Sequence, residues 1–406
     1  MSYLEEPQGR PLREAERKRR LDMVSDLMRR LGLACIVTAP NADGDGRLQP
    51  DSQYLAACGA VPTACIVPAD GPGVALDVQR VCADGWPDPS APQHETIDRL
   101  MREIAARVRA AIPTRGRCGI TGIGGTAGAP DGSAPYGFVR TLATALPGVE
   151  WVDVSEELRA IREIKSDDER ALVAKAVANL DCAIYRAANV ATPGSSELAV
   201  WSAMMGELVA TGSDPSVTCR WGSGLRPRIL DRPTHGELQR GSLILIDLEA
   251  SVSGYRTRAG GAIALEGCDA LYRDLYQMVG IYWSACVSGL AKAGTWARLD
   301  AEQATILERI ASDAGLPAKL RGSLTVEGCG LGLDAPRHPA SPAGEPPSGP
   351  IRAGSVFALT ASLTVDVRGR EHSASWTDTV ALDADGPRRL GTRAPGLLVA
   401  SGPGSQ

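Results

Sequence analysis

The chain has 406 residues, 44% of them hydrophobic and 22% charged, with a formal net charge of -5. That is enough material for two hydrophobic cores, and an acidic balance with scattered arginines excludes the basic footprint of a general nucleic-acid surface. No run of about 18 apolar residues occurs, and Met1 to Glu6 lack the basic-then-apolar order of a signal peptide, so no membrane partner and a cytoplasmic location are expected.

Residues 1–10 read as a disordered tail. From Pro11 to Leu31, Leu21, Met23, Val24, Leu27, Met28 and Leu31 recur at helical spacing, with arginines opposite that read as a solvated basic face. A β-type run follows at Ala34 to Thr38, then a polar Gly/Asp loop from Asn41 to Asp51, and the apolar runs Tyr54 to Ala57 and Ala64 to Val67. A helix from His94 to Ile112 and a short strand near Cys118 complete a first α/β unit that ends near Trp151. The ten cysteines stand mostly singly in apolar surroundings and form no Cys-x-x-Cys pair, a pattern of buried reduced thiols and not of a disulfide framework.

A boundary is expected near Val154. Ser166-Asp-Asp-Glu169 is a capping box that opens a helix through Ala188. Further helices are expected after Thr192, over Asp269 to Lys292 and over Ala301 to Ala314. Strands are expected at Val217 to Trp221, Leu243 to Val252, Tyr255 to Leu265, Leu324 to Cys329, Val356 to Val367 and Glu371 to Leu382. The Pro/Gly-rich stretch Ala335 to Gly349 reads as a loop. The consistent architecture is α/β (α+β): a smaller α/β domain over residues 11–153, then helices outside a strongly curved antiparallel sheet over 154–390, and a flexible tail over 391–406.

The segments Arg240-Gly-Ser-Leu-Ile-Leu-Ile-Asp247, Gly254-Tyr-Arg-Thr-Arg258, Gly328-Cys-Gly-Leu-Gly-Leu-Asp334 and Trp376-Thr-Asp-Thr-Val380 resemble, in order and spacing, the creatinase/aminopeptidase P family with its pita-bread fold. The resemblance spans roughly residues 15 to 390. It implies a creatinase-like N-terminal domain, a C-terminal pita-bread domain and a homodimer.

It also implies a ligand set, which this sequence does not reproduce. Metal-dependent members hold two divalent cations with two aspartates eleven residues apart, one histidine and two glutamates, because an activated bridging water needs several hard anionic oxygens around the ions. The first aspartate is matched by Asp247, but the second position holds Arg258, the histidine position Cys329, and the glutamate positions Thr360 and Thr377. No metal and no other cofactor is therefore expected. The metal-free creatinase arrangement is not matched either: its histidine aligns with Leu230, its hairpin acid with Gly260 and its later acid with Thr360.

The replacements have two readings each. Arg258 opposite Asp247 is either a structural ion pair or an anion-binding, oxyanion-stabilising guanidinium. Cys329 is either a small buried thiol or a nucleophile activated by Arg258. Of the four histidines, His94 and His235 read as surface residues, whereas His338 is the better acid/base candidate and His372 a weaker one. Arg220, Arg226, Arg228 and Arg337, with Arg256, suit recognition of a carboxylate or phosphate. Thr360, Trp376 and Thr377 would line the cavity with them, although Trp376 and Trp221 are equally acceptable as core.

The expected function is a metal-independent enzyme that acts on a small, anionic, amino-acid-like substrate, most directly by hydrolytic cleavage of a C-N bond. Asp247, Arg258, Cys329 and His338 would be its catalytic residues. The alternatives are a lyase or rearrangement enzyme of a specialised pathway, and a pseudopeptidase that binds a peptide or metabolite without turnover.

Overall fold

The computed structural model describes residues 14–40, 50–56, 64–71, 74–76, 81–83, 97–112, 116–124, 132–215, 217–229, 232–313, 320–332, 334–338 and 350–400. The chain divides into two compact units, Met1–Arg162 and Glu163–Gln406. The division falls later than the expected boundary near Val154, so the helix Ser155–Glu163 belongs almost wholly to the first unit.

The first unit contains α1 (Glu14–Leu31), β1 (Cys35–Val37), α2 (Pro50–Ala56), β2 (Ala64–Pro68), β3 (Val74–Leu76), β4 (Val81–Ala83), α3 (Ile97–Ala111), β5 (Gly116–Ile120), α4 (Tyr136–Ala145), β6 (Val149–Asp153) and α5 (Ser155–Glu163). Its mixed sheet runs β4-β3-β2-β1-β5-β6, parallel between β1, β5 and β6 and antiparallel on the other side. Two readings change here. The run at Tyr54 lies in helix α2. The arginine face of α1 is not wholly solvated: Arg20 is buried, paired to Glu16 at 2.7 Å, and donates to the Tyr54 carbonyl oxygen at 3.0 Å. A charge can go inside when its neighbour on the next turn supplies the counter-charge.

The second unit contains α6 (Asp167–Val190), α7 (Glu197–Ala210), β7 (Cys219–Gly224), β8 (Leu243–Val252), β9 (Tyr255–Ala264), α8 (Ala270–Ala293), α9 (Trp296–Asp313), β10 (Leu320–Gly328), β11 (Asp334–His338), β12 (Val356–Val367), β13 (Arg370–Asp383), β14 (Gly386–Arg389) and β15 (Leu397–Val399). The capping box forms as expected: the Ser166 hydroxyl accepts from the Glu169 amide while Glu169 accepts from the Ser166 amide. The sheet order is β11-β10-β12-β13-β9-β8-β7 and its pairings are antiparallel, except that β15 runs parallel to β9. Trp221, Ile244, Ile246 and Leu248 pack one side of β7 and β8 against α6 and α7. Phe357, Leu359, Trp376 and Val380 pack the same side of β12 and β13 against α8 and α9. The fold is thus the α/β arrangement expected, with the helices behind an antiparallel sheet.

Two hairpin turns fix the register on which the site depends. Ser253 and Gly254 have φ of 52° and 81°, and Arg368 and Gly369 have 54° and 76°. Two consecutive positive φ values are the signature of the tight turn whose twist matches antiparallel strands. The first turn sets Asp247 opposite Gly260 and Glu249 opposite Arg258; the second sets Thr360 opposite Thr377.

Two expectations about loops fail. Ala335 to His338 leave the supposed Pro/Gly loop and, with Asp334, form β11 paired to β10, while residues 339–349 lie outside those described. The supposed tail after 390 is built into the domain as far as residue 400: β15 pairs with β9, and Asp181 of α6 accepts hydrogen bonds from Thr392 and Arg393.

Candidate functional site

Because side chains alternate across a strand and register partners share a face, the strand pairings alone decide what meets in the sheet. One rung carries Arg220 (β7), Asp247 (β8), Gly260 (β9), Thr377 (β13), Thr360 (β12) and Thr325 (β10), all on the face away from the helices. Gly260 is a tight floor: a Cβ there would lie 3.2 Å from the Thr377 hydroxyl. Thr360 and Thr377 hydrogen-bond to each other at 2.8 Å.

One step along the same face are Glu249, Arg258 and Glu327. Arg258 is the hub. Its Nε and Nη2 donate to the two oxygens of Asp247 at 3.2 and 2.5 Å, and its Nη1 donates to Glu327. Burial works against the guanidinium charge, but Asp247 and Glu327 more than offset this and raise its pKa above the ordinary value. A guanidinium has five N-H donors, so two remain after these contacts, and the side chain keeps 31% exposure. Arg220 approaches the same carboxylate only to 3.7 Å and stays half exposed; Arg256 pairs with Glu249 at 3.6 Å.

Glu327 and Glu249 were not singled out from the sequence. For Glu249 the signal was available in the two-residue period, two residues after Asp247, whereas a register shift after Glu327 breaks the period between it and Cys329.

Cys329 does not have the surroundings of a nucleophile. It is fully closed off, and desolvation pushes its thiol up to about 12 despite a hydrogen bond with Thr257 at 3.1 Å. Arg258, expected to activate it, points to the opposite side of β9 from Thr257 and gives three of its five donors to carboxylates. The flanking glycines admit the protein's own chain and not a substrate: a Cβ at Gly328 would meet the Ala335 carbonyl oxygen at 2.3 Å. Iodoacetamide at neutral pH is expected to label the exposed Cys182 readily and Cys329 only after denaturation, as read by peptide mass spectrometry. Native labelling of Cys329 as fast as Cys182 would restore the nucleophile reading.

His338 and Trp376 also leave the site. Arg337 pairs with Glu327 on the open face, so His338 turns to the helix side, buried, stacked on Trp296 at 5.4 Å and bonded to Asp300 of α9 at 2.7 Å. Trp376 alternates with Thr377 and is core, with Arg393 4.6 Å above its ring; Trp221 is likewise fully buried. His372 is buried edge-on to Tyr272. His235 is exposed in a turn.

Arg226 and Arg228 are exposed in the segment after β7. The charge of Arg226 acts on Tyr272 of α8, and the Arg228 backbone lies against Gly222, one same-face step along β7 from Arg220. Arg337 is exposed beside Glu327. His94 and Leu230 lie outside the described residues.

Among the described residues, no group of three or more His, Cys, Asp or Glu side chains converges as a cage for a metal ion. No helix among them is long and apolar enough to cross a membrane.

Comparison with known proteins gives a consistent picture. The profile of metallopeptidase family M24 matches residues 171–384. A Xaa-Pro dipeptidase of Pyrococcus horikoshii is 25% identical over 266 residues, covering 64% of this chain and 71% of that protein. Among solved structures, an X-Pro aminopeptidase from Thermotoga maritima superposes with a TM-score of 0.68 at 14% identity, over 93% of this chain and 99% of the other. A dipeptidase from Mycobacterium ulcerans does so with a TM-score of 0.67 at 22% identity, over 96% and 100%. At these identities the structural likeness speaks for the fold.

Proposed function

The chain belongs to metallopeptidase family M24, and we propose that it is a member working without divalent ions, which hydrolyses a C-N bond in a small, amino-acid-like substrate bearing a carboxylate. The observation that carries this reading is Arg258, held between Asp247 and Glu327 with donors to spare.

The side chains present do not fit a pair of divalent cations. Both oxygens of Asp247 accept from a guanidinium, Thr360 and Thr377 are neutral and bond to each other, and the Cys329 thiol holds its proton. Two closely spaced dications need several hard anionic donors, which this set does not supply.

What the set does offer is a fixed positive charge beside a carboxylate. The two remaining N-H groups of Arg258 would receive a substrate carbonyl oxygen and stabilise the oxyanion formed on attack. Glu327, whose side chain is 37% exposed, would accept a proton from water as its oxygen bonds to the carbonyl carbon, then return that proton to the nitrogen as the C-N bond breaks. Arg220, half exposed and only loosely held by Asp247, would take the substrate carboxylate. Homodimeric assembly and a cytoplasmic location belong to the same proposal, and light scattering reads the assembly.

The test is hydrolysis of N-glycyl amino acids with and without a chelator. Activity should survive EDTA, purified protein should carry no stoichiometric Mn, Co or Zn, and Glu327→Gln should lower kcat by about 10²–10⁴-fold. Arg220→Ala should raise KM with kcat little changed. Activity abolished by EDTA and restored by a divalent ion would overturn the metal-free reading.

A second reading is favoured by the closed Cys329 and the turned His338: a non-catalytic pseudopeptidase that binds the same ligands. Tight binding of N-glycyl amino acids without turnover would select it.

A further inference from the structure

On the helix side of the second unit's sheet, away from the Arg258 cluster, lies a cavity of about 110 Å³ between α6, β9 and the chain that leads into β15. The sequence makes room for it at Gly261. Register sets Gly261 opposite Ile246, whose side chain packs on the α6 side, and a Cβ at Gly261 would come within 2.9 Å of the Trp376 ring. Ile184, Ile246, Ile263 and Leu398 give the cavity apolar walls, Leu398 through its parallel pairing with Ile263. Tyr185, 37% exposed, belongs to the same lining and brings it out to the surface.

A buried charged group faces this apolar space. Arg393, whose side chain is 4% exposed, lines the cavity, and its Nη1 would stand 3.9 Å from a Cβ at Gly261. Its Nε donates to Asp181 at 2.9 Å and its Nη2 to the Thr377 carbonyl oxygen at 3.2 Å. The two N-H groups of Nη1 make no hydrogen bond among the described residues. A buried donor without an acceptor is costly, so the cavity favours an occupant that presents an oxygen there.

Charge decides which kind of oxygen. Arg393 pairs with Asp181, and Arg389 pairs with the buried Asp378 at 2.6 Å; the two guanidinium groups lie 4.6 and 6.0 Å from the Trp376 ring centre. Two cations thus already face two carboxylates. A further carboxylate would be a buried anion without a partner, whereas a carbonyl oxygen accepts from Nη1 and adds no charge. Size sets the rest: a dry cavity of about 150 Å³ admits benzene, so this one suits about five heavy atoms.

We propose that this cavity is a binding site for a small, uncharged molecule with a carbonyl oxygen on Arg393 Nη1 and a short aliphatic body against Ile184, Ile263 and Leu398. Arg393 also holds the Thr377 carbonyl oxygen, which puts the site directly behind the central rung. Arg258 and Glu327 lie on the other face of the sheet, so the inference does not rest on the proposed hydrolysis.

Three molecules of one shape test it on the purified full-length protein, by titration with saturation-transfer NMR. They are butan-2-one, 2-methylbut-1-ene, which has a methylene for the carbonyl oxygen, and propanoate, which has a charged oxygen for one methyl. Butan-2-one is expected to bind saturably with a Kd of about 1 mM or below, within the affinity open to five heavy atoms. It should bind about tenfold or more tightly than either analogue, because a site built to hydrogen-bond an oxygen discriminates against its absence. Leu398→Trp, which fills the cavity from its half-buried wall, should abolish the binding, and Arg393→Lys should weaken it about tenfold. Glu327→Gln should leave it unchanged.

No saturable binding of butan-2-one up to about 10 mM, or equal binding of the alkene, would overturn the inference. Tighter binding of propanoate would overturn the uncharged ligand class. Binding retained in Leu398→Trp, or lost in Glu327→Gln, would place the ketone elsewhere and overturn the site, and Leu398→Trp decides this even where Arg393→Lys fails to fold.

Discussion

Asp181→Ala is expected to destabilise the protein by about 3–5 kcal/mol, the cost of leaving a buried charge without its partner. Asp181 and Arg393 have side chains only 7% and 4% exposed. One carboxylate oxygen accepts from Arg393 Nε at 2.9 Å; the other accepts from the Thr392 amide at 2.6 Å and its hydroxyl at 2.8 Å. Removing the carboxylate orphans all three donors at once. Arg393 would keep its bond to the Thr377 carbonyl oxygen at 3.2 Å, the attraction of the Asp378 charge and its place over Trp376. The strand β15 begins four residues further on, so its pairing with β9 should loosen with the anchor. Urea unfolding checks this: Asp181→Ala should lower the midpoint strongly, and Asp181→Asn, which keeps acceptors for Thr392, should fall between it and the parent. A loss below about 1 kcal/mol for the alanine variant would mean that the segment is not anchored there.

Arg258→Ala is expected to cost about 2–4 kcal/mol, somewhat less because its side chain is 31% exposed and water can partly replace it. The loss has two sources. Asp247 is only 12% exposed and would lose both of its guanidinium bonds, and Glu327 would face it across the same surface without an intervening cation. Arg258→Lys should recover the charge but not the paired geometry, because an ammonium cannot donate in parallel to both carboxylate oxygens. A double-mutant cycle between Asp247→Ala and Arg258→Ala should give a coupling of about 1–3 kcal/mol. Additivity within about 0.5 kcal/mol would show that the two side chains do not act as a unit. If Arg258 also stabilises the oxyanion, the alanine and lysine variants lose turnover on whatever N-acyl amino acid is cleaved, while Arg220→Ala loses affinity.

Much of this molecule was legible along the chain. The long strands Leu243–Val252 and Val356–Val367, the capped helix α6 and the helix α8 are set by local periodicity and capping chemistry, and they form close to where those signals put them. So were the residues of the central rung, because the motifs around Asp247, Thr360 and Thr377 sit in strands whose alternation fixes their face. Strand parity accounts for two of the misplaced residues. His338 lies one position from Arg337 and Trp376 one position from Thr377, and in a strand one position decides which side of the sheet a residue occupies. Arg226 and Arg228 were grouped with Arg220 by sequence proximity, yet only Arg220 lies in a strand that pairs with Asp247.

The sequence by itself determined the α/β fold and the strands that carry Asp247, Arg258, Thr360 and Thr377, because turn residues, helix caps and strand alternation act over a few residues. Only the tertiary structure decided which charges satisfy one another. Arg258 reaches Glu327 across 69 residues and Arg393 reaches Asp181 across 212, and the backbone of β11 comes against Gly328. Such pairings depend on register and burial, which are properties of the assembled sheet and leave no local trace in the chain.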